Sequence, residues 1–121
     1  MVNIKMRAQV AKYMVLYNSS ASAAELMANA SLDEMKASMA EWMAWRDEAS
    51  KAIVVDFGMP LQSVGRVTTD EVTTSDSQVS GYAILEGQSK DTMMAILQTH
   101  PHLKRAGATI DVLEMLSMPG M

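Results

Sequence analysis

The sequence predicts an α+β domain in which helices cover one face of an antiparallel sheet. Three observations support this. Four short runs rich in apolar residues are typical of strands. Two capped, helix-like segments lie between the first and second runs and between the third and fourth. A polar stretch with scattered valines separates the second run from the third. The resulting order, β-α-β-hairpin-β-α-β, is that of a ferredoxin-like fold with an extra hairpin between strands 2 and 3.

Length and composition limit the kinds of protein this can be. A chain of 121 residues suits one domain with one core, so we expect a single domain over residues 1–121, with residues 1–10 as a flexible N-terminal extension. The net charge of −4 argues against nucleic acid and against an anionic membrane surface as partners. No cysteine is present, which excludes disulfides and thiol catalysis. With no apolar run of membrane-spanning length and no signal-peptide pattern, a cytoplasmic location is expected.

The first half of the chain is expected to form one strand and one long helix. Residues 12–17 (KYMVLY) are typical of a strand. Ser31 and Glu34 form a capping-box pattern that starts a helix running to about Ser50. We expect this helix to bury one apolar face, formed by Leu32, Met35, Met39, Trp42 and Met43. Trp45 lies beside that face and is expected either to cover the edge of the core or to line a cleft.

The second half repeats the alternation of strand and helix. Residues 52–57 (AIVVDF) and 79–87 (VSGYAILEG) are predicted strands. The polar segment 62–78 between them is predicted to hold a small exposed hairpin, either functional or flexible. Ser89 is the expected N-cap of a second helix, which Pro101 ends, and residues 107–118 give the last strand.

The first strand is apolar on both sides, which suggests that both faces of the sheet are covered. Tyr13, Val15 and Tyr17 alternate there with Met14 and Leu16. The helices can cover only one face, so we expect the second cover to come from another subunit and the chain to be a homodimer. We expect the Tyr13 side of the strand to pack against the twin.

Asp56 and the two histidines are the candidate acid/base residues. Val54 and Asp56 share one strand face, while Ile53, Val55 and Phe57 share the other, which should face the helices. Asp56 should therefore point into a dimer cleft, with two tyrosines, Tyr17 and Tyr82, as its companions.

His100 and His102, separated by Pro101, allow three interpretations: ligands of one metal, an acid/base pair, or residues that end the helix. The third is favoured, with charged His100 capping the second helix. No metal and no cofactor is predicted.

Several segments resemble the YCII-related (YCII/DGPF) domain proteins, small bacterial members of the dimeric α/β-barrel group. The matching pieces are "KYMVLY", "GMPL", "SGYAILEGQSKDTMMAILQTHPHL" and "GATIDVLEM", in that order. The resemblance implies a ferredoxin-like fold and a homodimeric α/β barrel with a cleft beside the sheet. The "DGPF" stretch is absent, and so is a histidine in the first helix or before the second strand, where enzyme-like members carry one.

Three functions remain open from the sequence. The first is a dimeric domain that binds a small molecule in a cleft lined by Tyr17, Trp45, Tyr82 and His102, with Asp56 and His100 as the reactive groups if any exist. The second is a small enzyme, a hydrolase, lyase or cofactor-independent oxygenase, that uses Asp56 or His100 as acid or base. The third is a protein-interaction or regulatory module. The fold alone does not choose among them, because one frame supports many functions.

Overall fold

The fold is an α+β arrangement of one four-stranded antiparallel sheet and three α-helices, seen in a computed structural model that describes residues 10–120. The sheet strands are β1 (Ala11–Asn18), β2 (Val54–Pro60), β5 (Val79–Gly87) and β6 (Thr109–Glu114), in the spatial order β2-β5-β1-β6. A separate two-stranded hairpin consists of β3 (Arg66–Val67) and β4 (Val72–Thr73). This architecture is compatible with the predicted ferredoxin-like α+β fold.

Each helix begins after a serine N-cap, as predicted at Ser31 and Ser89, and an additional short helix begins after Ser22. α1 (Ala23–Asn29) follows Ser22, whose hydroxyl accepts from the Glu25 amide. α2 (Leu32–Ala49) starts with the complete capping box, in which Ser31 and Glu34 each satisfy the other's backbone amide. α3 (Lys90–Leu97) is capped by Ser89. Since helix starts depend on local hydrogen bonds, they can be predicted from short motifs.

Pro101 opens a short 3₁₀ helix, Pro101–Lys104, which connects α3 to the last strand. The last strand is shorter than the predicted 107–118, and β2 continues through Gly58, Met59 and Pro60, past the predicted end of the strand at residue 57. Pro60 is tolerated because β2 is an edge strand, where a missing backbone donor costs little.

The core lies between the helices and one face of the sheet. Strand residues of that face are buried in alternation, and Trp45 and Ala49 of α2 and Met93 and Leu97 of α3 cover them. The strand contributors are Tyr13, Val15, Tyr17, Ala83 and Leu85. Val55 and Phe57 pack against the same cluster, as the strand alternation predicted.

Two expectations about the core are wrong. Tyr13 lies under the helices and not on the uncovered face, because β1 turns its odd-numbered residues toward α2 and α3. The first three turns of α2 are exposed: Leu32 is 63% and Met39 59% exposed, and Met35 is also exposed. Periodicity identifies an apolar stripe but not how far the sheet beneath it extends, and here only the C-terminal part of the helix meets the sheet.

The opposite face of the sheet carries no helix. Cross-strand pairing places Asp56, Ile84, Met14 and Leu113 in one row across the four strands, and Tyr82, Leu16 and Asp111 in the next. Val54, Glu86 and Lys12 form a third row. We call the surface formed by these ten side chains the open face. Its centre is apolar, and three carboxylates surround it.

Two further expectations concern the limits of the chain and its surroundings. Nearly all of the predicted N-terminal extension, residues 1–10, falls outside the described residues. Within residues 10–120, no helix combines the length and the apolar character that crossing a bilayer requires.

Candidate functional site

The predicted site residues divide between the two faces of the sheet. Tyr17, Trp45, His100 and His102 lie on the helix-covered side, while Asp56 and Tyr82 lie on the open face. The strand register explains the separation, because Leu16 and not Tyr17 is directly opposite Tyr82. The expected cleft containing both Tyr17 and Asp56 therefore does not form within one chain.

On the helix side, both histidines belong to a cluster of aromatic rings. His100 is 2% exposed, and its ring centroid lies 4.3 Å from Trp45, 4.5 Å from Trp42 and 4.9 Å from Tyr17. Tilted and edge-on geometries predominate, as expected when ring edges meet ring faces. Phe57 completes the cluster, with its ring 6.2 Å from that of Trp45.

Hydrogen bonds fix the tautomer of His100. Its Nδ1 accepts the backbone N–H of His102 at 3.0 Å, so a neutral ring carries its proton on Nε2. Nε2 then donates to the Tyr17 hydroxyl at 3.1 Å. His100 is thus the N-cap of the following 3₁₀ helix, and not the charged C-cap of α3 that the sequence suggested.

His102 is held by the end of the first strand. Its Nε2 lies 2.9 Å from the carbonyl oxygen of Asn18 and must donate, since a carbonyl only accepts. The side chain of Asn18 in turn donates to Asp111 at 3.0 Å. Sequence reasoning missed Asn18; the only available signal was its position directly after a predicted strand.

Burial makes both imidazoles poor proton acceptors. Desolvation, with a smaller contribution from His102, lowers the pKa of His100 to about 3. Desolvation also lowers the pKa of His102, against the opposing effect of hydrogen bonds with the Asn18 and Thr109 backbone. Burial raises the pKa of Tyr17. Near neutral pH these three groups are therefore uncharged and bonded to one another or to backbone, which suits a structural cluster better than an acid/base pair.

Trp45 is also a core residue. Its indole N–H donates to the Thr99 hydroxyl at 3.1 Å and to the Ile96 carbonyl at 3.3 Å. The indole therefore links α2 to the end of α3. Of the two roles expected from the sequence, covering the core fits this position and lining a cleft does not.

The open face holds the candidates that solvent can reach. Asp56 is exposed on the edge strand β2, and within residues 10–120 its carboxylate makes no hydrogen bond or ion pair with another side chain. Tyr82 is half-buried, and its ring lies across Gly58: a Cβ at position 58 would come within 2.3 Å of the Tyr82 ring. The absence of a side chain at Gly58 therefore allows the Tyr82 ring to lie against β2.

A groove continues from the open face around one end of the sheet. It encloses about 610 Å³ and shares Val54 and Glu86 with the open face, while Lys51, Ser89 and Thr92 line its other wall. The volume is in the range of small-molecule sites, although the groove is open to solvent. None of the site residues predicted from the sequence lines it. No group of three or more His, Asp or Glu side chains suited to a metal ion occurs in the described part of the chain.

Comparison of the sequence with protein-family models gives no match, and comparison with curated proteins gives none either.

Proposed function

We propose that the domain acts as a homodimer whose open faces meet and bind a small molecule in the cleft between them. The observation that carries the proposal is the open face itself, an apolar centre on a sheet whose other side packs against the helices. Membership of the YCII-related, bacterial-type family, with its dimeric α/β barrel, belongs to the same proposal and rests on the matching sequence segments.

The apolar centre argues for a covering partner. Met14, Leu16 and Ile84 are only half-buried in one chain, and Leu113 is exposed beside them. Removing such side chains from water is favourable by about 25 cal/mol per Å² of apolar surface. Packing two identical faces together achieves this symmetrically, because every contact across a two-fold interface occurs twice.

Asp56 and Tyr82 argue for a ligand between the sheets. A carboxylate covered by a second sheet needs a hydrogen-bond donor, and no described residue of its own chain supplies one. Tyr82 offers a flat apolar ring with a polar end beside it. The face therefore suits a small molecule that combines an apolar body with a donor group, bound by Asp56 through that donor.

Binding can be tested by ¹⁵N NMR screening of a fragment library, followed by titration of the hits. We expect ligands to shift signals of β1, β2 and β5, and Asp56→Asn and Tyr82→Phe to weaken binding. Asp47→Asn is a matched control, because Asp47 is an exposed aspartate on the helix side. Binding that shifts only helix signals, or that survives both open-face substitutions, would reject the proposed cleft.

A protein-interaction role is the second candidate, and the exposed stripe of α2 favours it. Leu32, Met35 and Met39 are apolar, exposed and spaced to share one helix face. An enzymatic role based on His100 is less well supported, because both ring nitrogens are engaged within the chain. Asp56 is the remaining candidate for an acid/base residue.

A further inference from the structure

The β3–β4 hairpin exposes apolar side chains although local hydrogen bonds connect its two strands. Val64 is 94%, Val67 77% and Val72 75% exposed. Val67 and Val72 are directly opposite each other across the hairpin, so their side chains share one face. At these exposures the two valines bury little apolar surface against their own chain.

Polar contacts hold the hairpin in shape. The Thr68 hydroxyl accepts from the amides of Asp70 and Glu71, and the Thr68 amide donates to the Glu71 carbonyl at 2.9 Å. Arg66 pairs with Asp76 at 2.8 Å across the base. The hairpin is therefore formed without help from the core, and its valine face is available for another surface.

We propose that this hairpin is an arm that packs on a second copy of the chain and closes one end of the cleft between the two sheets. The inference rests on the face-to-face dimer proposed above. It adds a specific contact, in which the partner copy contributes Val67 and Val72 to the boundary of the ligand site.

The size of the open face argues for such an arm. A stable interface involves roughly 20–30 residues on each side, whereas the open face offers about ten side chains. The segment 61–78 is exposed apart from Ser75 and can supply the remainder. In a two-fold dimer each arm contact occurs twice, which doubles the effect of burying the valines.

The position of the arm also favours a second copy. The arm leaves the sheet where Pro60 pairs with Gly81, next to Tyr82, and the Leu61 amide bonds to the Ser80 carbonyl at 2.9 Å. It returns where the Gln78 carbonyl accepts the Ser19 amide at 2.9 Å. Both attachments are at the end of the strands that carry the open face, so the arm starts at the border of that face.

Sedimentation equilibrium of three variants tests the arm. Val67→Asp with Val72→Asp should weaken dimerisation at least about tenfold, because two apolar contacts per copy are lost. Thr69→Asp with Thr74→Asp is the matched control, because it adds the same charge to the same segment. This control should change the dimer dissociation constant less than about threefold. Leu113→Asp, on the open face, should also weaken the dimer. Thermal unfolding of each variant checks that the fold is retained.

Photocrosslinking gives a direct contact readout. The chain lacks cysteine, so Val67→Cys can carry a benzophenone label, with Lys36→Cys on α2 as a control position. We expect a covalent dimer from position 67 and none from position 36. If Leu113→Asp dissociates the dimer while the double valine substitution does not, and position 67 gives no crosslink, the arm contact is overturned and the proposed dimer stands. A wild-type chain that stays monomeric overturns the arm and the proposed dimer together.

Discussion

The Tyr17 hydroxyl lies 3.1 Å from Nε2 of His100, joining the first strand to the segment after α3 across the buried side of the sheet. This bond connects residues 83 positions apart in sequence. It explains why a histidine occurs in an otherwise apolar layer: both of its nitrogens are satisfied, so its burial leaves no unpaired polar atom. The two histidines that resemble a reactive pair in the sequence are both buried, and both form hydrogen bonds within the chain.

The burial of His100 predicts a loss of stability in acid. The pKa of its imidazole is lowered from 6.5 to about 3, so the unfolded chain binds a proton more readily than the folded one between these values. The contribution of neutral, buried His100 to the free energy of unfolding is complete above pH 6.5 and is lost as the pH falls toward 3. We expect the free energy of unfolding to drop by about 2 kcal/mol by pH 5, with His102 adding in the same direction. Urea denaturation at several pH values measures this, and an NMR titration of His100 centred near 6.5 would contradict it.

Removal of the Tyr17 hydroxyl should leave the His100 Nε2–H without its partner in a buried site. We expect Tyr17→Phe to lower the free energy of unfolding by about 1–3 kcal/mol. Tyr13→Phe is a matched control on the same strand and the same buried face, since no described residue hydrogen-bonds its hydroxyl. Equal losses for the two variants would show that the Tyr17–His100 bond contributes nothing specific.

Two substitutions on α2 test where the core ends. Trp45→Ala removes a buried indole and should cost about 3–5 kcal/mol. Met39→Ala, six residues earlier on the exposed part of the helix, should change stability by less than about 0.5 kcal/mol. Urea denaturation of both proteins gives the comparison. A large loss for Met39→Ala would place the first half of α2 in a packed interface.

Gly58→Ala should displace the Tyr82 ring without unfolding the protein. The new methyl would come within 2.3 Å of that ring, which can move because it is only half-buried. We expect shifted Tyr82 NMR signals and a stability loss of about 1–3 kcal/mol. Gly65→Ala is the control for the Tyr82 signals, since a Cβ at position 65 would meet only the Thr73 carbonyl oxygen, at 3.3 Å, and no aromatic ring. Unchanged Tyr82 signals in Gly58→Ala would contradict the close packing of the ring on β2.

The sequence predicts the fold better than the site, and particular residues show why. Helix starts at Ser31 and Ser89 are local events and were predicted correctly. The alternation of Val54 and Asp56 with Val55 and Phe57 correctly assigned the two faces of β2. The corresponding assignment for β1 was wrong, because both of its faces are apolar and no residue distinguishes the helix side from the open side.

The candidate site depends on long-range geometry that no motif encodes. Only the register between β1 and β5 shows that Tyr17 and Tyr82 point to opposite faces. Likewise, the partner of His102 is a backbone carbonyl, that of Asn18, which any residue type at that position would provide. Side-chain patterns therefore could not show that the histidines were already satisfied.

The most direct test of the proposed dimer is sedimentation equilibrium of the wild type beside two single variants of equal chemistry. Leu113→Asp places a charge on the open face, and Leu32→Asp places the same charge on the exposed start of α2. We predict a wild-type dimer that Leu113→Asp dissociates and Leu32→Asp leaves intact. A wild-type monomer, or a dimer that only Leu32→Asp dissociates, would contradict the account.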